Sequence, residues 1–323
     1  FPPPADEDET IVFVSSLVEV SPAVSAALRA GTPVVALEST IISHGLPRPG
    51  NLEAAREFEA ILAGHSVTAA TIALVDGVPK IGLARDELEY IATDESVVKV
   101  SSRDIAIAVA RKVTGGTTVA ATSVLAARVG IRVFATGGLG GVHRGASETF
   151  DESADLTVLS RTPITVISAG VKSILDIPAT LERLETLGVA VVGYRTSRFP
   201  AFWLSDSGCD LDWRADSPAE IADIMAAREA FGEQAALLVA NPLPPGKQLD
   251  PEVLSGALEA ALVAAADAGI RGKAVSPFLL DEIQRVTGGV SVGVNLDIAR
   301  GNVDLAARIS RSWSERAEAR APS

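Results

Sequence analysis

Several things are scarce in this chain of 323 residues. It has a single cysteine, Cys209, so no intramolecular disulfide can form and a reducing, cytoplasmic compartment is the natural expectation. Aromatic residues make up only 4%, leaving Val, Ile, Leu and Ala to fill the interior implied by 47% apolar residues. No unbroken apolar run approaches the ~20 residues of a membrane-spanning helix. An excess of positive charge is also missing. The formal net charge is −13, which argues against a nucleic-acid polymer as partner, since such polymers bind through lysine and arginine. A small phosphorylated ligand stays open, because it needs only a local positive pocket. Lysine itself is rare, six among 28 basic residues, so each lysine at an apolar position asks for a reason.

What is present is an alternation of short β-branched runs with longer helical patterns. Strands are expected at Pro33–Glu38, Val67–Leu74, Val97–Ser101, Ile131–Ala135, Ile164–Ser168, Val189–Gly193 and Ala236–Ala240. Most are largely apolar runs bounded by Gly, Pro or Ser, as expected of strands buried on both faces. Between them lie helical patterns at Leu52–Ala63, Arg85–Ile91, Ile105–Val113, Ser173–Leu187 and Ala219–Phe231. Ser217-Pro218 with Glu220 reads as a helix start, and Asp104 can cap the helix beginning at Ile105. From Pro251 onward the chain reads as three helices, Pro251–Ala268, Pro277–Val286 and Val294–Arg320. The pattern predicts an α/β protein: a three-layer α/β/α single domain with a largely parallel, mixed central sheet and a helical C-terminal segment. Residues 1–20, acidic and Pro-rich, read as a tail, and residues 21–323 as one domain.

Ligands of such sheets bind where loops leave the carboxyl ends of strands, and polar residues gather there. Glu38 ends an apolar strand ahead of Ile41 and Ile42; desolvation would poise it as a general acid, unless backbone N–H groups satisfy it. His44 follows in the same segment and suits a turn equally well. Ala135 to Gly145 is glycine-dense, without the spacing of a phosphate loop or a dinucleotide fingerprint, and ends on His143 and Arg144. Next, Asp151 and Asp155 stand at i and i+4 on one face of a helix starting near Glu152. With Glu148 they can hold a hard cation or simply complement the helix dipole.

Lys172 directly follows an apolar strand, between Val171 and the Ile174-Leu175 pair. An amine stripped of water or set beside another cation can add to a carbonyl as a nucleophile. A snorkelling lysine at a helix end, or an ion pair, is the alternative. Lys99 leaves another strand and can meet a phosphate or pair with Asp104. Asn295 and Asn302, seven apart, share one face of the last helix, where they can bridge structure or grip a sugar or phosphate.

Taken together these segments resemble the pseudouridine-5′-phosphate glycosidase family, which includes the indigoidine synthase A-like proteins. The resemblance runs from about Val20 to Ser310. It is carried by Val-Val-Ala-Leu-Glu-Ser-Thr-Ile-Ile-Ser-His-Gly from Val34, Phe-Ala-Thr-Gly-Gly-Leu-Gly-Gly-Val-His-Arg-Gly-Ala from Phe134, Thr-Phe-Asp-Glu-Ser-Ala-Asp-Leu from Thr149 and Ser-Ala-Gly-Val-Lys-Ser-Ile-Leu-Asp from Ser168. Shorter matches are Phe199-Pro-Ala-Phe202, Val239-Ala-Asn-Pro242 and Pro277-Phe-Leu-Leu280.

What the resemblance implies is a manganese-dependent enzyme, usually a homotrimer, that reversibly cleaves pseudouridine 5′-phosphate to uracil and ribose 5-phosphate. Lys172 then corresponds to the nucleophile and Glu38 to the proton donor. Lys99, the Val119 backbone, Ser153, Ala154 and Asp155 correspond to substrate-binding positions, and His143 and Asn295 line the site. Asp151 corresponds to the ligand of Mn²⁺. Two other readings stand beside this one. A C-glycosynthase of secondary metabolism would join ribose 5-phosphate to another aromatic acceptor. A non-catalytic phosphosugar-binding module would have no use for an amine at position 172.

Overall fold

The computed structural model describes residues 17–270 and 275–320. An eleven-stranded sheet organises them. Its strands are β1 (Glu19–Val20), β2 (Val34–Glu38), β3 (Thr68–Val75), β4 (Val78–Ile81), β5 (Val98–Val100), β6 (Gly115–Thr117), β7 (Val133–Ala135), β8 (Thr165–Ser168), β9 (Ala190–Tyr194), β10 (Arg214–Ala215) and β11 (Leu237–Ala240). The order across the sheet is β1-β4-β3-β2-β7-β8-β11-β9-β10, with β6 paired to β3 and β5 to β6. β2, β7, β8, β11, β9 and β10 pair in parallel, while β4 and β6 both run antiparallel to β3. The expected mixed, largely parallel sheet is thus present, and all seven expected strands are found to within two residues at either end.

Side chains of β2 show how the layers form. Val34 and Ala36 point into one apolar core together with Leu125 and Leu156; Val35 and Leu37 point into the other with Phe58, Leu62 and Ile221. This is the two-residue alternation of a strand covered on both faces. Helices Pro22–Ala30, Val119–Arg128 and Ile177–Thr186 cover the first face. Helices Gly50–Gly64, Pro218–Ala230 and the long Val290–Arg320 cover the second. Each fully buried Leu, Ile or Phe stabilises these layers by about 1.5–3 kcal/mol relative to its exposed state.

Four features depart from the sequence reading. Glu19 and Val20, placed in the tail, form β1 beside β4, and Ser21 caps the next helix by accepting from Val24 N; residues 1–16 lie outside the described residues. Helix Val119–Arg128 was not expected, because its buried residues Val119, Ala120, Ala121, Thr122, Ser123, Leu125 and Ala126 leave no polar face for a 3.6-residue period to reveal. β4 forms a hairpin with β3 across the two-residue turn Asp76-Gly77. β6 begins Gly-Gly and so lacks a side-chain pattern, yet Gly115 is needed there, since a Cβ would come within 2.9 Å of the Val98 carbonyl oxygen.

Among the helix starts that shift, two matter for the site. The helix expected from Ser173 begins at Ile177, where Asp176 accepts from Ala179 N. Residues before it are held outside the helix by pairing with the glycine-dense segment, Leu139 with Val171 and Val142 with Asp176. Lys172 is therefore not a helix-terminal lysine. Likewise the helix expected near Glu152 begins at Ala154, with Ser153 as its cap. Asp151 precedes that helix, so Asp151 and Asp155 do not share a helical face. Asp104 does not cap the helix at Ile105 either; its carboxylate accepts from Ser101 N behind it, at 3.1 Å.

Candidate active site

β2, β7 and β8 are adjacent and parallel, so their carboxyl ends deliver three polar segments side by side. Glu38 is the last residue of β2 and is 8% exposed. Thr136, directly after β7, donates its hydroxyl to Glu38 Oε1. Loss of hydration raises the Glu38 carboxyl above its ordinary range. The Lys172 charge opposes that rise most strongly, followed by the Thr136 hydrogen bond, with Lys99 a smaller opposing influence and Asp155 adding to the rise. A buried acid with a nearby amine is thus present in the fold, where either group alone would be an ordinary strand-end residue.

Lys172 is fixed through its backbone, donating N–H to Leu139 O at 3.1 Å and accepting from Leu175 N at 2.9 Å. Lys99 comes from β5, which reaches the site through β6 and β3. Glu38, Lys99, Lys172 and Asn295 line one cleft, closed on its far side by Ser276, Pro277 and Leu280 of helix Val275–Val286. Ile41–Gly45, a single π-helical turn after β2, forms the rim. In it His44 places Nε2 3.0 Å from Val97 O and Nδ1 2.7 Å from Ser43 Oγ. Desolvation, with Lys99 and Arg48 as neighbours, holds the His44 ring below its ordinary value, against the Val97 hydrogen bond that works the other way. His44 is thereby a rim group with both nitrogens engaged.

On the other side of Lys172 lies the glycine-dense loop. Asp155, 6% exposed, accepts from Ala120 N at 2.9 Å and Gly140 N at 2.8 Å. It ties the amino end of helix Val119–Arg128 to the loop, with both carboxylate oxygens engaged by backbone. Gly140 permits this approach: a Cβ would enter the space of Ser153 Oγ. Val119 opens that helix, where N–H groups lack intrahelical acceptors and the dipole favours an anion. Ala154, exposed, is the first residue of the helix that Ser153 caps.

His143 stands at the end of the same loop, with its ring Nδ1 4.0 Å from Asp151 Oδ2 and its backbone N–H donating to Asp151 O at 3.0 Å. Burial holds the imidazole low, Asp151 pulls it up, and Lys99 and Lys172 push it down. Among the described residues no group of three or more His, Cys, Asp or Glu side chains converges into a metal cage. Of the two readings of Asp151, Asp155 and Glu148, a shared cation cage is not formed among the described residues. Asp155 is held by backbone, and Glu152 pairs with Arg183 at 2.9 Å. An ion at the Asp151 carboxylate would keep most of its shell as water and substrate oxygen, a mode that hard divalent ions with one or two protein carboxylates adopt.

The two asparagines of the last helix separate in role. Asn302, 1% exposed, donates to Thr136 O at 2.7 Å and to Gly137 O at 3.2 Å, and accepts from Asn241 at 2.9 Å. It anchors the turn that carries Thr136. Asn295 lines the cleft and accepts from Trp203 Nε1 at 2.5 Å. Trp203 was not among the expected site residues; Asn302 was expected as a structural bridge or a sugar or phosphate contact, and Thr136 and Asn241 as strand-end polar residues with no assigned role. Only position carried a signal: Thr136 and Asn241 each follow a strand directly.

Comparison with known proteins joins this geometry to a family. The family model described as "Indigoidine synthase A like protein" matches residues 23–312. The chain belongs to that family. It is 56% identical to a pseudouridine-5′-phosphate glycosidase of Frankia alni over 93% of this chain and 83% of that one. It is 55% identical to one of Streptomyces griseus, over 96% of this chain and 95% of that one. Among solved structures, a prealnumycin C-glycosynthase in complex with ribulose 5-phosphate matches with TM-score 0.87 and 35% identity, covering 94% of this chain and 99% of that one. An indigoidine synthase A-like protein of Thermotoga maritima matches with TM-score 0.84 and 34% identity, covering 92% and 97%.

Proposed function

We propose that this protein is a pseudouridine-5′-phosphate glycosidase, an enzyme that reversibly cleaves the C–C glycosidic bond to give uracil and ribose 5-phosphate. The observation that carries this is the joint presence of a buried, raised Glu38 beside Lys172 in a chain 56% identical to glycosidases of that name over 93% of its length. A pair of carboxylates working on a leaving oxygen would not serve, because a C–C bond has no such oxygen to protonate. An amine that captures the sugar divides the difficult step into easier ones.

The steps follow from the residues. Protonated Glu38 gives its proton to the ribose ring oxygen as that ring opens, and electrons from the uracil ring form a double bond between C1′ and C5. The Lys172 amine adds to C1′, and the proton it then sheds returns to the Glu38 carboxylate. Glu38 next protonates uracil C5 while the C1′–C5 pair leaves C1′, so that uracil departs and an iminium joins Lys172 to C1′. Water adds to the iminium and releases ribose 5-phosphate, restoring the amine. The balance is pseudouridine 5′-phosphate plus water giving uracil plus ribose 5-phosphate.

Phosphate binding falls to Lys99 and to the Val119 N–H at the helix start, where a positive side chain and the positive end of the helix dipole combine. Asp155 holds that helix start against the glycine loop, Ser153 caps the helix on which Asp155 stands and donates its N–H to Gly141 O in the loop, and Ala154 lies between the two. Asp151, with His143 next to it, would hold Mn²⁺, which when bound supplies positive charge toward substrate oxygens. A homotrimer and a cytoplasmic location belong to the same proposal. No helix among the described residues is long and apolar enough to cross a membrane, and one half-buried free cysteine suits a reducing compartment.

Incubation with pseudouridine 5′-phosphate and Mn²⁺ should release uracil, and EDTA should stop the release. The C-glycosynthase neighbour makes the second outcome concrete. If wild type releases no uracil yet forms an adduct with ribose 5-phosphate on Lys172, the acceptor is another aromatic ring. If it does neither, a binding module is left.

A further inference from the structure

Phe199 to Trp203 form a buried strap beneath the cleft that the proposed chemistry does not use. Ala201 bridges Gly170, and Ser173, the residue after Lys172, donates its hydroxyl to Ala201 O. Trp203, 1% exposed, packs edge-to-face on Phe202 at 5.2 Å and accepts from Leu249 N at 3.1 Å. Its indole N–H is directed at Asn295 Oδ1. An indole nitrogen can only donate, so the atom it meets on Asn295 must be the amide oxygen. The amide orientation is therefore set from below, before any ligand enters. With the oxygen held by Trp203, what Asn295 keeps for the cleft is its N–H₂ group, a pair of donors.

The position of Asn295 gives that orientation a meaning. Glu38, Lys99 and Lys172 occupy the strand-end side of the cleft, whereas Asn295 stands with Ser276, Pro277 and Leu280 on its helical wall. A pentose phosphate held at Lys99 and joined at Lys172 leaves its ring substituent toward that wall. We propose that Trp203 is a positioning residue for base selection: by holding Asn295 Oδ1 it turns the N–H₂ group to the cleft and makes this end of the site take a ring that presents a carbonyl acceptor. This rests on uracil, a ring with two carbonyls, being the base that leaves. An acceptor-poor aromatic ring would leave the two N–H donors without partners, which disfavours it.

The test is the synthetic direction, with KM for uracil and KM for ribose 5-phosphate measured separately in the presence of Mn²⁺. Trp203→Phe should raise KM for uracil about tenfold, the loss of one oriented hydrogen bond, and move KM for ribose 5-phosphate less than about twofold. In an Asn295→Ala background, Trp203→Phe should have no further effect on the uracil KM, because the pair acts as a unit. Equal shifts of both KM values, or the same fold-change with Asn295 absent, would overturn the proposal. Should Trp203→Phe not fold, Asn295→Asp decides. It keeps an oxygen for Trp203 but puts an oxygen in place of the donors, so uracil KM alone should rise at least about tenfold; an unchanged value overturns the proposal. Wild type that makes no product from uracil would instead sink the uracil assignment itself, and the proposal with it.

Discussion

Glu38 and Glu59 both carry carboxyls raised above their ordinary range by loss of water, and both accept a hydrogen bond from a threonine hydroxyl, Thr136 and Thr71 respectively. In each the hydrogen bond opposes the rise. The difference lies in what else is near. Around Glu38 stand Lys172, Lys99 and Asp155, at the carboxyl end of a strand that opens on a cleft. Glu59 lies within helix Gly50–Gly64 against β3, and burial and Thr71 are the whole of its perturbation. A raised carboxyl is thus a common result of partial burial, and becomes a proton donor for chemistry only where a nucleophile and space for substrate meet it.

Substitutions can break this contrast, the most damaging first. Lys172→Ala should lower kcat for uracil release by about 10⁴-fold or more, since its amine is the one that carries the covalent intermediate in the proposed route; steady-state release followed by chromatography checks it. Glu38→Gln should cost about 10²–10⁴-fold, the range of a lost general acid. Because the acid form of Glu38 is the working one, kcat should fall as pH rises through its raised pKa. Thr136→Val removes a hydrogen bond that lowers that pKa, so the falling limb of the pH profile should move to higher pH. The rate should drop about tenfold, and Thr136→Ser should restore both.

Glu59→Gln is the counterpart with the smallest effect. Activity should stay within about twofold of wild type. A carboxyl whose folded pKa lies above its unfolded value stabilises the fold at low pH, and that stability is lost as pH rises from the ordinary carboxyl range through the raised value. Relative to Glu59→Gln, wild type should therefore lose Tm between acid and neutral pH, which thermal melts across that window will show. If Glu59→Gln instead reduced turnover, the contrast would fail.

Much of this was legible in the sequence because apolar strands buried on both faces announce themselves, and because Glu38 ends and Lys172 follows such a strand; Lys99 lies within the short strand β5. Helix Val119–Arg128 escaped since burial on every side removes the periodicity that reveals a helix, and β6 escaped because glycines carry no pattern. Asp151 and Asp155 were misjudged together for a different reason. Ser153 offers a better cap than Glu152 and starts the helix two residues later, which frees Asp155 to clamp Ala120 and Gly140. Thr136, Trp203 and Asn302 act on the site by long-range contacts, Asn302 from 166 positions away in the chain. Spacing along the sequence carries nothing of such pairings.

Borohydride trapping tests the central claim most directly. Protein mixed with ribose 5-phosphate and Mn²⁺, reduced and digested, should yield a secondary amine joining the pentose to the peptide that contains Lys172, and Lys172→Ala should yield none. A pentose found on Lys99 or another lysine, or no adduct while uracil is still released, would contradict Lys172 as the nucleophile.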